Sequence, residues 1–138
     1  MAINNRNRNV VALQNNRTTL IPNGNGFSGL EQRMILSTAT TNEAIIKKGR
    51  SGFYGISLAN TSTRGDAYIR IFDTVNTPQS SDTPIATYAI NMGGVNNFIL
   101  PIPLSITNNL GINITAGPQI GNRSAVEADK IIGSVWFK

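Results

Sequence analysis

Short stretches in which apolar and polar residues alternate recur from residue 30 onward. The clearest lies over residues 67–73, where Ala67, Ile69 and Ile71 share one face. Alternation with a period of two is typical of a β-strand that faces a core on one side. The opposite face carries Arg70 and Phe72, so both faces are bulky. This pattern predicts a strand that lies between a core and a contact with another subunit.

Similar stretches, separated by Gly, Pro, Asn and Ser, follow one another along the rest of the chain. Long loops are predicted over 74–84 and 116–129, and no amphipathic helix of normal length is apparent. Regularly spaced short strands favour an all-β fold, a β-sandwich or jelly-roll-like single domain over residues 30–138. Strands are predicted over 33–37, 43–47, 53–59, 67–73, 85–90, 98–102, 110–115 and 131–137.

For two of these strands, the sequence also predicts side-chain direction or position in the sheet. Strict alternation over 53–59 would direct Tyr54, Ile56 and Leu58 towards the core. Pro101 and Pro103 cannot donate hydrogen bonds to a neighbouring strand. We therefore expect their strand to lie at a sheet edge or to end there.

Residues 1–29 differ in composition and are predicted to form an extended arm. The stretch is rich in Asn and Arg, and it carries two small apolar patches at 10–13 and 20–21. Such a segment buries too little apolar surface to offset its ordering entropy. It either becomes ordered on a partner or neighbouring subunit, or it is a floppy terminus.

The excess positive charge lies in the N-terminal third of the chain. Residues 1–50 hold seven basic and two acidic residues, whereas residues 51–138 hold five of each. A basic arm on a neutral body favours docking to an acidic partner. The residues expected to dock are three arginines and three apolar anchors: Arg6, Arg8, Arg17, Val10, Val11 and Leu13.

The chain contains no Cys and no His. This composition excludes thiol nucleophiles, Ser-His-Asp triads and the usual zinc ligand sets. Acidic residues are scattered, and the pair Glu127 and Asp129 is interpreted as a turn before the last strand. We expect no enzymatic activity, no cofactor and no metal site.

Nucleic acid and membranes are weaker candidates as partners. The arginines of the arm suit phosphate, yet Phe27 is the only aromatic residue nearby for base stacking. No apolar run is long enough to span a membrane, and no secretory signal is visible. Neither nucleic acid nor a membrane is the expected partner.

An ordered series of motifs in residues 36–138 resembles a group of small phage-encoded virion proteins. It begins with a Thr/Ala-rich segment, a Lys-x-Gly turn and a Tyr-Gly-Ile strand ending in Asn-Thr-Ser. A Tyr-x-Arg-x-Phe strand, a Pro-x(5)-Pro loop, a Gly-Gly step and a Leu-Gly-Ile-x-Ile-Thr strand follow. An Ala-Val-x-Ala turn precedes the closing apolar strand. These motifs lie at 37–44, 47–49, 54–62, 68–72, 78–84, 93–94, 110–115 and 125–137.

The resemblance implies a non-enzymatic structural protein of the bacteriophage virion. It would be a capsid cement or decoration protein on the capsid surface, made in the host cytoplasm. Its partners would be the major capsid protein and itself, as a homotrimer. A tail, fibre or baseplate protein that binds a host receptor or carbohydrate is the alternative. The arm of residues 1–29 departs from the family pattern.

Overall fold

The computed structural model describes residues 30–138. Every regular element in this range is a β-strand, which confirms the predicted all-β class. The predicted arm and its six docking residues lie outside the described residues. The strands are β1 (Glu31–Leu36), β2 (Ala44–Lys48), β3 (Ser51–Asn60), β4 (Ala67–Thr74), β5 (Ala86–Ile90), β6 (Val95–Ile106), β7 (Asn109–Thr115) and β8 (Ile131–Phe137).

The strands form two four-stranded antiparallel sheets that pack face to face. Sheet 1 has the order β1-β8-β3-β6, and sheet 2 has the order β2-β7-β4-β5. The first strand pairs with the last, the second with the seventh, the third with the sixth and the fourth with the fifth. A long hairpin folded across two sheets gives this order, which is that of an eight-stranded jelly roll.

The core lies between the inner faces of the two sheets. Sheet 1 contributes Ile56 and Leu58, and sheet 2 contributes Ile69 and Ile114, all with 0% of their surface exposed. Aromatic rings fill the gap between β5 and β6, which are edge strands of the two sheets. Tyr88 and Phe98 pack there with centroids 4.7 Å apart, and burial raises the pKa of Tyr88. Apolar burial across this interface is the main stabilising contribution to the fold.

A β-bulge in β3 overturns one of the predicted side-chain directions. The register of β3 against β8 shifts between Phe53 and Gly55, so Tyr54 is an extra residue. An extra residue reverses the alternation on one side of it. Phe53 is therefore in the core at 0% exposure, whereas Tyr54 is only half-buried. Ile56 and Leu58, beyond the bulge, point inwards as predicted.

Strand β6 lies at the edge of sheet 1, as its prolines predict. It is longer than predicted, and its register against β3 jumps from Leu104 to Ile99 opposite the same bulge. The residues between them include Pro101 and Pro103, together with Ile102, which is 79% exposed. Edge prolines and irregular pairing hinder the addition of further strands.

Ser37, at the end of β1, connects the first strand to the segment before the last one. Its hydroxyl donates to the Glu127 carbonyl oxygen at 2.7 Å and accepts from the backbone N–H of Ile131 at 3.0 Å. Asp129, at φ 62°, bends the chain there and donates its N–H to the Ser37 carbonyl oxygen. The interpretation of Glu127 and Asp129 as a turn before the last strand is confirmed.

Gly133 in β8 allows an unusually close approach to β3. Its φ is 145°, a conformation that side chains other than glycine rarely adopt. A Cβ at this position would lie well inside contact distance of the Ser57 carbonyl oxygen. A larger residue would therefore separate two central strands of sheet 1.

We predict that Gly133→Ala lowers the free energy of unfolding by more than about 3 kcal/mol, because backbone atoms must move and φ is strained. Urea denaturation followed by tryptophan fluorescence measures this change. Gly65→Ala is the control, since nothing lies within 4 Å of its added Cβ, and it should change stability by under about 1 kcal/mol. Equal stabilities of the two variants would contradict the prediction.

Candidate interaction surface

The outer face of sheet 2 is covered by the protein's own loops at its two central strands, β4 and β7. Phe72 and Gly111 are register partners on this face. Pro78, from the loop between β4 and β5, is buried over them, and a Cβ on Gly111 would lie 2.6 Å from its Cγ. Strands β4 and β7 are consequently buried on both faces, and this side of the sandwich offers no flat apolar surface.

Arg70 attaches the second long loop to the same face. Its guanidinium donates to the carbonyl oxygens of Gly117 and Gln119, both at 2.7 Å, and to the Thr115 hydroxyl. The side chain is 2% exposed, and burial lowers its pKa. The bulk on both faces of β4 therefore reflects cover by the chain itself. The expectation of a subunit contact on this face was wrong.

The outer face of sheet 1 remains uncovered within the described residues, and we call it the open face. Its strands place three residues side by side in successive rows across β8, β3 and β6. Two outer rows are largely apolar, and the row between them is polar. The rows are Ile132, Ala59 and Val95; Ser134, Ser57 and Asn97; and Trp136, Gly55 and Ile99.

Charge is absent from the three strands that form these rows. β3, β6 and β8 contain no Asp, Glu, Lys or Arg, and the charged residues of sheet 1 are Glu31 and Arg33 on β1. Solvent-facing strands commonly carry charge, which keeps sheets from associating. Its absence here is typical of a surface that is covered in the assembled protein.

Large exposed apolar side chains are also concentrated on sheet 1. Ten such side chains are found in the described residues, and six of them lie on strands. All six belong to sheet 1. Exposed apolar side chains that gather on one sheet are typical of a protein–protein contact. The six are Met34, Leu36, Val95, Ile99, Ile102 and Ile132.

Strand β1 extends the open face at the edge opposite β6. The hydroxyl of Ser134 lies 2.9 Å from Gln32 Oε1 and 3.4 Å from Met34 Sδ, so these side chains continue the polar row. Leu36 is 60% exposed and lies on the same side of β1 as Met34. The open face therefore spans all four strands of sheet 1.

A cleft of about 610 Å³ lies at one end of the sandwich. Glu127 accepts a hydrogen bond from the Ser62 hydroxyl at 2.6 Å and pairs with Arg64 at 2.8 Å. The remaining lining is mostly alanine and backbone. The Glu127 carboxylate and the Arg64 guanidinium are paired with each other, and the second carboxylate of the lining, that of Asp66, accepts a hydrogen bond from the Met92 N–H at 2.8 Å.

The described part of the chain contains neither a metal-binding group of side chains nor a membrane-spanning helix. Between residues 30 and 138, no three acidic side chains come together in a way that could hold a metal ion. The same residues contain no helix long and apolar enough to cross a membrane. The surface feature that stands out in this range is the open face.

The open face was missed in the sequence, although a signal for it exists. The residues predicted to dock lie outside the described range, so that prediction is untested. A search for strands without charge would have selected 86–90 and 109–115 of sheet 2 together with 51–60, 95–106 and 131–137, the three strands that form the rows of the open face. Strand pairing was needed to show that they are neighbours.

Comparisons with known proteins found no relative of this chain. No family model, no curated protein and no solved structure matches the chain. Its function is therefore inferred from its own residues and surfaces.

We predict that Arg70→Lys lowers the free energy of unfolding by about 1–3 kcal/mol, because one ammonium cannot replace a guanidinium that bonds two carbonyl oxygens. Loosening of the loop should also accelerate tryptic cleavage after Arg123. Denaturation and timed proteolysis measure the two effects. Arg64→Lys is the control, because the Arg64 side chain is 80% exposed and its ion pair contributes little. Indistinguishable variants would show that Arg70 does not hold the loop.

Proposed function

We propose that this protein is a non-enzymatic structural component of a bacteriophage virion, a capsid cement protein that binds and stabilises the shell of major capsid protein. The observation that carries the proposal is the open face, a flat and uncharged sheet surface suited to protein contact. The jelly-roll strand order supports it, since viral capsid proteins use this fold repeatedly. Lectins also use the fold, so the surface rather than the topology decides the argument.

The proposed mechanism is mechanical rather than chemical. The basic arm docks on the shell, with Arg6, Arg8 and Arg17 attracting acidic surface and apolar residues at 10–13 serving as anchors. Flat surfaces of the sandwich and the docked arm together bridge neighbouring capsid subunits. Repetition of the contact over a symmetric shell adds many weak interactions, so total stabilisation is large even when each contact is weak.

A tail or fibre protein that binds a host carbohydrate is the second candidate. Trp136 and Tyr54 are half-buried aromatic side chains in sheet 1, and Gly55 next to Tyr54 is the register partner of Trp136. Amphipathic aromatic rings at a partly exposed position are used in many binding surfaces. Copy number separates the two candidates, since a receptor-binding protein is present in few copies per particle.

We predict a copy number equal to that of the major capsid protein or a simple fraction of it. Quantitative mass spectrometry of purified particles, with labelled peptides from both proteins, measures the ratio. A handful of copies per particle would favour the tail or fibre candidate. Absence from purified particles would refute both.

We predict that deletion of residues 1–28 abolishes particle binding while the sandwich keeps its thermal stability. Co-sedimentation with particles that lack the protein measures binding. Arg6→Gln/Arg8→Gln/Arg17→Gln should weaken binding, and most strongly at low salt, because it removes steering charges that salt would otherwise screen. Lys48→Gln/Arg50→Gln/Lys130→Gln removes the same charge from the body and should bind normally. Full binding by the deletion variant would exclude the arm as the docking element.

A further inference from the structure

We propose that the open face is the surface through which two copies of this chain associate. The proposal deepens the proposed function by naming the contact between copies. Its test nevertheless uses the purified protein alone. Sheet 2 cannot take this role, because Arg70 and Phe72 on its outer face are already covered by loops of the same chain.

The order of the rows makes the open face complementary to itself. An apolar row containing Ile132 and Val95 and a largely apolar row containing Trp136 and Ile99 flank a polar row of Ser134, Ser57 and Asn97. A two-fold axis along the polar row, or along the strands, brings the apolar rows of one copy against those of the other. Either axis also places hydroxyl and amide groups opposite hydroxyl and amide groups, where they can hydrogen-bond.

The absence of charge favours a second copy over other occupants. Nucleic acid or an anionic lipid surface would require Lys or Arg on the contact, and β3, β6 and β8 contain neither. A strongly charged protein would leave its own charges buried and unpaired there. A second copy presents an equally uncharged face and incurs neither cost.

The size of the face is sufficient for a specific contact. The strands of sheet 1 contain six, seven, ten and twelve residues. With a rise of about 3.3 Å per residue and a strand spacing of about 4.8 Å, sheet 1 covers roughly 560 Å² per copy. Two copies would bury about 1,100 Å², which exceeds the roughly 1,000 Å² expected of a specific interface.

Strand β6 at the edge of sheet 1 is poorly suited to pairing with a strand of a second copy, which also favours face-to-face association. Pro101 and Pro103 lack the N–H groups that a neighbouring strand would need. The irregular register between Leu104 and Ile99 further disrupts the edge. Copies therefore meet through side chains of the face rather than by continuing the sheet past β6.

The test compares two double variants of the full chain. Leu36→Glu/Val95→Glu places charge on the open face, where the original side chains are 60% and 69% exposed. Val75→Glu/Ile120→Glu is the matched control, because these loop residues are 69% and 60% exposed. Each carboxylate remains solvated in a single copy, so both variants should fold, as circular dichroism and thermal denaturation will verify.

Sedimentation equilibrium over a range of concentrations gives the mass and the dissociation constant. We expect a dimer for the natural protein and the control, and a dissociation constant raised at least about a hundredfold for Leu36→Glu/Val95→Glu, because either axis buries the added carboxylates in the contact without a cation to pair with them. A monomeric natural protein, or an oligomer that the face variant leaves intact, overturns the proposal. A homotrimer, which the family resemblance implies, would refute the two-fold geometry.

These outcomes are independent of the virion hypothesis. A dimer that is absent from particles retains the self-association and refutes the cement function. A monomer present at one copy per capsid protein supports the cement function and refutes the self-association.

Discussion

The burial of β4 and β7 on both faces is the constraint from which the other surfaces follow. Their inner faces form the core with sheet 1, and their outer faces need a cover because Arg70, Phe72 and Asn113 lie there. Two loops provide it, and carbonyl oxygens of one loop satisfy most of the Arg70 guanidinium. Among residues 30–138, the Arg70 Nε and the side-chain amide of Asn113 have no hydrogen-bond partner. Because both loops pack on sheet 2, neither covers the outer face of sheet 1.

Much of the fold could be predicted because each strand has its own apolar pattern. The last strand was predicted at 131–137 and is found there, and prolines correctly assigned β6 to an edge. The direction of Tyr54 was wrong because a bulge depends on pairing with β8 and β6, which alternation within one strand cannot reveal. The cover over Arg70 was missed for a similar reason. Bulk on both faces of a strand indicates double burial but does not identify what lies on the second face.

The candidate surface was harder to predict than the fold. Charge asymmetry directed attention to residues 1–29, which lie outside the described residues. The open face depends on three separate segments, and each alone reads as an ordinary uncharged strand. Only the register, with Ala59 between Ile132 and Val95, joins them into one surface. Single-sequence patterns describe one strand at a time, whereas a sheet surface is a property of strands that are distant in the chain.

The pairing of β1 with β8 also affects how the chain reaches its native state. Strand β1 begins at Glu31 and its partner ends at Phe137, so almost the whole described sequence separates them. Contacts of such large sequence separation slow folding, because the chain loses loop-closure entropy before the stabilising contacts can form. During synthesis β1 stays without its partner until residue 137 has left the ribosome. Ile35, which packs against the core in the folded protein, would be exposed throughout that interval, which makes the nascent chain sensitive to premature aggregation.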